Sequence, residues 1–516
     1  MPSPAAVSAA PEARPLPWWR LLRDVRVWIM LALGFAAGLP LLLIFSSLSL
    51  WLGEAGVERR AVTFFSWAAL AYSFKFVWAP LVDRLPLPWL TRRLGRRRSW
   101  LLLAQLGVVL AIIGMAATDP AAGPAALARM AAFAVLLGFA SATQDIVIDA
   151  YRIELAPPEQ QGWLSAAYVA GYRLGMVVTG AGVLLLAAAW GSAKGAYVYE
   201  AWAGAYAVAA LTMGLGVLTT LLAPEPPVTV PLPVAPAAEH ARLLAVFALA
   251  VTAFVAVFWA WGVGYAALGW QGLSALPALG LEALRLAAAL AAAFALGALL
   301  VRAGLASRAA ARQTWVEPVL AFFARHGVRD ALLLLALIGT YRLADILLGV
   351  ISNVFYQDLG FSKPDIAAAV KTFGVVVSIA GGFVGGLLAA QLGVLRALWW
   401  GALLAALTNL AFVALALAGP VRWGLYAVVA ADNLAAGLAS AAFVAFLSSL
   451  TQVRFTAVQY AIFSSLMTLL PKALGGYAGT MVDALGYPGF FVLTTVLGLP
   501  VLLLVGWVRR RGMAAA

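Results

Sequence analysis

The run Thr143 to Arg152, TQDIVIDAYR, sets two carboxylates, an amide and a guanidinium inside a long apolar block. Asp145 and Asp149 are four residues apart and share one helix face; Arg152 lies three further on and Gln144 sits beside that face. A lone carboxylate in hydrocarbon is driven to take up a proton rather than stay charged. Two carboxylates close together and near an arginine can instead change protonation as their surroundings open and close, which is what proton coupling requires. The plainer reading of Asp149 and Arg152 is a structural lock at the mouth of the helix, and the residues alone leave both open. A second cluster, TYRLAD from Thr340 to Asp345, pairs Arg342 with Asp345 three residues on, and Tyr341 offers a hydroxyl and a ring suited to a sugar or an amide. Asp432 and the neighbouring Asn433 add an acid and an amide in another apolar block.

Four more apolar blocks carry Lys75, Arg173, Lys371 and Lys472. Ionisable groups at membrane depth are costly enough to mark function, so these cations point to a cavity that receives an anionic solute. The expected proton carriers are Asp145, Asp149, Asp345 and Asp432. The expected solute contacts are Lys75, Gln144, Arg173, Tyr341, Arg342, Lys371, Asn433 and Lys472. No cysteine is present, and His240 and His326 lie in connecting segments, so neither a metal nor another cofactor is expected. Without a clustered acid–base or metal constellation, an enzyme acting on lipid-linked substrates is disfavoured.

The elements that must hold these groups follow from composition. Of 516 residues, 64% are hydrophobic and 11% charged, against about 45–50% and about 25% in a globular domain. The apolar residues fall into blocks of about 20, the length of helix that crosses a bilayer, and no ten-residue alternation of a barrel is present. Spans are predicted at 27–52, 61–82, 99–118, 127–148, 163–190, 200–222, 243–267, 281–301, 331–354, 366–389, 397–418, 422–448, 459–480 and 488–508, fourteen in all. The organisation expected is a tail 1–26, a six-helix bundle 27–222, a Pro-rich linker 223–242, a two-helix hairpin 243–301, an amphipathic link 302–330 lying on the anionic inner leaflet, a second six-helix bundle 331–508 and a tail 509–516. An N-terminus inside puts 22 of the 34 Lys and Arg residues on the cytoplasmic side and five (Arg59, Arg60, Lys194, Lys363 and Arg422) opposite, so both termini are predicted inside. That bias also accounts for the net charge of +13 without any nucleic acid.

The two sets of six echo each other. GFASA at Gly138–Ala142 returns as GLASA at Gly437–Ala441, Gly175 and Gly475 follow at nearly the same offset, and the first helices end in EAG (Glu54 to Gly56) and DLG (Asp358 to Gly360). A duplicated six-helix unit is the layout of a carrier with two rocking halves. Gly171, Gly175, Gly180 and the GGFVGG run at Gly381–Gly386 permit close helix contact, and Gly38-Leu39-Pro40 is expected to bend or break the first span. Asp83, Arg84, Gly95, Arg96, Arg97 and Arg152 stand at helix ends, where they are expected to act as a structural gate.

These stretches resemble the muropeptide permease (AmpG) family, a branch of the major facilitator superfamily. The resemblance rests on GFAAGLPLLL from Gly34, FSWAALAYSFKFVWAPLVDR from Phe65, LGRRRSWLL from Leu94, ASATQDIVIDAYR from Ala140, TYRLAD from Thr340, AAFVAFLSSL from Ala441 and TAVQYAIFSSL from Thr456, in order over roughly 20–510. It implies an all-α major facilitator fold with two additional central helices. It also implies proton-driven import of anhydro-muropeptides into the cytoplasm across the inner membrane for peptidoglycan recycling, with the protein working as a monomer among membrane lipids. The superfamily signature Gly-x-x-x-Asp-Arg followed by Gly-Arg-Arg is met at Asp83, Arg84 and Gly95-Arg96-Arg97, but Ala79 holds the first glycine position and LPLPWLTRRL intervenes. A carrier of the same fold for a peptide, an amino sugar or an acyl thioester is the alternative.

Overall fold

The computed structural model describes residues 23–57, 70–193, 195–227, 236–267, 275–475 and 477–513. Thirteen helices among them are long and apolar enough to cross a membrane, and their outward faces carry large exposed side chains such as Leu110, Leu211, Leu417 and Leu503. Apolar groups on the outside, with Arg97, Arg152, Asp149 and Lys75 buried inside, invert the soluble pattern because lipid is the solvent. The chain is a multi-pass membrane protein.

The first span is α1 (Val25–Ile44) followed by α2 (Ser46–Glu54). Asp24 caps α1 by accepting from the Arg26 N–H at 2.9 Å. Pro40 lies within α1 without ending it; the irregular residue is Phe45, with φ −97° and ψ −90°. The break expected at Gly38-Leu39-Pro40 therefore falls five residues later, where α2 takes a new direction. Of the second span, 61–69 lies outside the described residues; what is described is α3 (Leu70–Phe74), a 3-10 turn Lys75–Val77 and α4 (Ala79–Arg84). Then come α5 (Arg96–Ala116), α6 (Pro124–Leu155), α7 (Gln161–Val177), α8 (Tyr199–Thr212) and α9 (Gly214–Leu222).

The central hairpin is α10 (Ala237–Ala267) and α11 (Ala275–Arg302), and the link ends in α12 (Glu317–His326). The second set comprises α13 (Val328–Thr340), α14 (Leu343–Asp358), α15 (Gly374–Leu392), α16 (Val394–Ala418), α17 (Arg422–Leu450), α18 (Thr456–Gly475) and α19 (Ala478–Arg510). The EAG and DLG matches have a structural counterpart: α2 and α14 each stop two residues before a glycine in the left-handed region, Gly56 at φ +76° and Gly360 at φ +101°.

Backbone contact sets the helix spacing. A methyl added to Gly34 or Gly38 would meet the Tyr168 or Tyr172 carbonyl oxygen at 2.2 and 2.0 Å, and one added to Gly171 or Gly175 would meet those of Leu31 and Phe35 at 2.0 and 2.2 Å. Thus α1 and α7 cross with glycine on both sides, and van der Waals packing replaces the hydrophobic drive that lipid cannot supply. In the second set the same device joins α15 to α17, through Gly381, Gly385 and Gly437. Gly386 instead packs on Gly162, so the GGFVGG run also brings the second set against the first.

Arg96 to Arg98, the first residues of α5, mark the basic end of the molecule. The central hairpin touches the rest chiefly there, through Leu243, Val246 and Phe247. The link is more embedded than a helix resting on lipid: Thr314, Pro318 and Phe322, spaced by four, are buried, and Phe322 packs on Phe463 of α18 at 5.2 Å between ring centres.

Candidate functional site

The second span is interrupted where chemistry is needed. The 3-10 turn between α3 and α4 carries Lys75, whose side chain is 7% exposed. Its Nζ lies 3.6 Å from Asp149 Oδ2 and 3.9 Å from Asp145 Oδ2, both on α6. One ammonium is thus shared by two carboxylates on one helix face. Each contact is worth on the order of 4 kcal/mol before desolvation at an effective dielectric of about 20. That balance withdraws Lys75 from the charges expected to meet an anionic solute.

Asp149 also faces Arg152 at 3.4 Å. Arg152 Nη1 donates to Gln161 Oε1, to Ser165 Oγ and, across the two sets, to Ser448 Oγ at 2.7 Å. Its guanidinium lies 5.3 Å from the centre of the Tyr460 ring. A continuous line of charge runs Asp145, Lys75, Asp149, Arg152 toward the basic end. Around its inner terminus several buried atoms have no hydrogen-bond partner: both amide atoms of Gln144, Asp145 Oδ1 and the Tyr72 hydroxyl. Buried groups left unmade cost roughly 1–3 kcal/mol each, so a cluster of them marks a place built for something other than stability.

A second cluster lies on the facing surfaces of the two sets. Arg342, at the irregular start of α14, forms an ion pair with Asp345 and donates to Ser440 Oγ at 2.8 Å. Arg173 of α7 and Asp432 of α17 share its electrostatic field. Asn433 donates to its own helix at the Val429 carbonyl, 3.0 Å, and its Nδ2 borders Gly374. Lys472 of α18 is exposed and donates to Ser73 Oγ of α3 at 3.1 Å. All of these except Asn433 are charged, and Arg173, Arg342, Asp345, Asp432 and Asn433 are only partly buried.

Two further predicted contacts are Tyr341, which lines a small cavity with Arg342 and Asp345, and Lys371. Tyr341 is buried: its hydroxyl donates to the Leu398 carbonyl at 3.0 Å and its ring stacks on Phe443 at 4.4 Å, so its one O–H donor is already committed. Lys371 sits in the π turn Ala367–Phe373, and its side chain lies outside the described residues.

The third layer is at the basic end. Asp83, at the end of α4, accepts from Arg97 Nη2 at 2.8 Å and from the Ala457 and Val458 backbone N–H groups at 3.3 and 3.1 Å, at the start of α18. An anion at a helix N-terminus meets unpaired donors and the positive end of the dipole. Arg97 also grips Glu154 at 2.5 and 2.9 Å and Thr456 Oγ1 at 2.8 Å. Arg96 reaches the Asp83 carbonyl and Glu154, and Arg84 reaches Gln313 of the link. Gly95, at φ +86°, turns the chain into α5, whose first N–H groups are capped by Glu225. Six residues predicted at helix ends are thus gathered into, or beside, one junction between the sets. Glu154, Glu225, Thr456 and Ser448 were not singled out by sequence. Glu154 alone had a signal, standing two residues beyond Arg152 on the same helix.

This arrangement, with two glycine-knit helical sets, buried charge on their inner faces and a polar junction at one end, is that of a two-part carrier. The anhydromuropeptide permease of Escherichia coli (strain K12) is 30% identical over 487 residues, covering 94% of this chain and 80% of that protein. The chain belongs to the anhydromuropeptide permease (AmpG) family. Putative transporter AmpG 4 of Rickettsia felis is 29% identical over 492 residues, covering 95% and 98% of the two chains. A family model described as acetyl-coenzyme A transporter 1 matches residues 26–194. Among solved structures, a double-tryptophan mutant of XylE superposes with a TM-score of 0.59 at 13% identity, covering 94% and 95% of the chains. The human organic anion transporter MFSD10 gives 0.52 at 17%, covering 95% and 100%. At such identities these two speak for fold alone, and the fold is that of the major facilitator superfamily. As an AmpG-family member the protein is a transporter and not an enzyme.

Proposed function

We propose that this AmpG-family protein imports anhydro-muropeptides, N-acetylglucosaminyl-anhydro-N-acetylmuramyl species with or without stem peptide, by proton symport across the inner membrane for peptidoglycan recycling. The similarity to the E. coli permease along nearly the whole chain carries the solute class. The observation that carries the coupling is the shared cation: Lys75 between Asp145 and Asp149, with unpaired polar atoms beside Asp145.

The basic end is read as cytoplasmic, with both termini inside, and residues 27–222 and 331–508 as the moving halves of a monomer. In the arrangement described, the junction of Asp83, Arg97, Glu154 and Thr456 draws the halves together at that end. The muramyl carboxylate then meets the partly exposed cations Arg173, Arg342 and Lys472, with Asn433 beside an amide and Asp345 and Asp432 limiting the positive field. A proton taken by Asp145 or Asp149 releases part of Lys75's attraction and loosens α3 and α4 against α6. Because Asp149 also holds Arg152, and Arg152 holds Ser448 of the other half, that loosening reaches the junction. A carboxylate with equal proton affinity in both open states would store no work from the gradient; the changing distance to Lys75 supplies the difference. Asp345, paired with Arg342, is the second candidate carrier.

The test is uptake of labelled anhydro-disaccharide into proteoliposomes under an imposed proton gradient. Accumulation that collapses with a protonophore supports the proposal; absent uptake, with uptake of another solute, overturns it. The match of residues 26–194 to the acetyl-coenzyme A transporter family favours an acyl thioester as second reading, and acetyl-coenzyme A belongs in the assay as competitor.

A further inference from the structure

At the basic end, away from the junction, the start of α13 and the end of α19 enclose a groove of about 500 Å³ lined by Arg329, Leu332, Leu333, Trp507 and Arg511. We infer that this groove holds an anionic phospholipid, its phosphate between Arg329 and Arg511 and its acyl chains along Leu332, Leu333 and Trp507. The polar and apolar parts come from one turn of each helix. Arg329 and Arg511 stand at the ends of spans, where phosphates of the bilayer lie, while Leu332 and Trp507 are 55% and 58% exposed one turn deeper, at the level of the acyl chains.

The charge balance favours an anion. Asp330 forms an ion pair with Arg511 and neutralises it one for one. Arg329 makes no ion pair among the described residues, so the groove keeps a net positive charge. Arg329 lies in the first turn of α13, whose N-cap position is Gly327, with no side chain to cap it, and the first N–H groups of that helix add to the same field. Two guanidinium groups suit a phosphate better than a single ammonium would, because each presents parallel donors. A free phosphate ion would use the arginines and leave the leucine and tryptophan walls unused; a lipid uses both. Convergent basic groups between span ends are also the known form of acidic-lipid sites.

The full-length protein, delipidated in detergent and titrated with phosphatidylglycerol or phosphatidylcholine, is read by native mass spectrometry for bound lipid. Each arginine near a membrane surface contributes about fivefold in affinity, so Arg329→Gln should cut phosphatidylglycerol retention about fivefold and leave phosphatidylcholine unchanged. Arg511→Gln should act in the same direction. Arg329 is exposed and makes no ion pair, so its replacement leaves folding intact. Arg93→Gln is the control: this arginine stacks on Trp89 at 4.4 Å at the same end, and its loss should not alter retention. Equal retention of the two lipids, an equal effect of Arg93→Gln, or displacement of phosphatidylglycerol by millimolar inorganic phosphate as effective as by added lipid would each overturn the assignment.

Discussion

Asp83 is the residue whose loss should change the equilibrium between open states most directly. Asp83 is 4% exposed, and its carboxylate joins three groups: Arg97 in its own half and two backbone N–H groups at the start of α18 in the other. Asp83→Asn keeps the shape and removes the charge. A hydrogen bond to a charged group is worth roughly 1.5–3 kcal/mol, and an anion at a helix N-terminus about 0.3–1 kcal/mol. Arg97 keeps Glu154 and Thr456, so it is not stranded, and the net loss falls at about 2–3 kcal/mol on the junction. Of these bonds, the two from the Ala457 and Val458 N–H groups are made only in the arrangement closed at the basic end, and a loss of about 2–3 kcal/mol there should raise the open population about 30- to 150-fold. The chain has no cysteine, which allows a single reporter at Ala389, a buried residue packed beside Gly162. In Ala389→Cys, reaction with a membrane-impermeant maleimide from the basic end should speed up at least tenfold on adding Asp83→Asn. An unchanged rate, with protein still folded, would refute the idea that this junction holds the halves together.

Asp145→Asn should abolish uphill accumulation of anhydro-muropeptide while downhill exchange persists; accumulation at the normal level would move the coupling to Asp345. Lys472→Gln removes the bond to Ser73 and a cation facing the other half, and should raise the half-saturating concentration of solute several-fold at normal protein level, as measured by uptake kinetics. Gly171→Ala places a methyl 2.0 Å from the Leu31 carbonyl oxygen, an overpacking of roughly 1–3 kcal/mol or more, so thermal unfolding should begin several degrees lower. Gly53→Ala, with nothing within 4 Å, is the matched control and should leave it unchanged. Cysteines placed at Arg96 and Asp119 should react from opposite sides of the membrane; reaction from one side would overturn the topology.

Much of the architecture was legible because lipid imposes it. A backbone crossing hydrocarbon must satisfy its own hydrogen bonds, so an apolar block of span length has one outcome, and block lengths, loop arginines and repeated glycines could be read directly. The pairs Asp149–Arg152 and Arg342–Asp345 were legible for a similar reason, since three residues along a helix bring side chains together in any fold. Glycine spacing told of close approach, though not which helix approaches: Gly386 meets Gly162 of the other half, while its neighbours Gly381 and Gly385 meet α17.

What only the tertiary structure decided is which charges answer which. Lys75 reads as one more basic group for an anionic solute until the break between α3 and α4 turns it onto Asp145 and Asp149. Tyr341 reads as a sugar-binding ring until α16 and α17 enclose it. Nothing in the sequence pairs Glu154 with Thr456, yet they meet at the junction, 302 residues apart along the chain. The sequence by itself determined the all-helical membrane class, the repeat and the inventory of buried charge, because these depend on local composition and transfer free energy. The pairing of those charges across helices depends on angles and distances that no local pattern encodes, and so it was settled only when the two sets packed together.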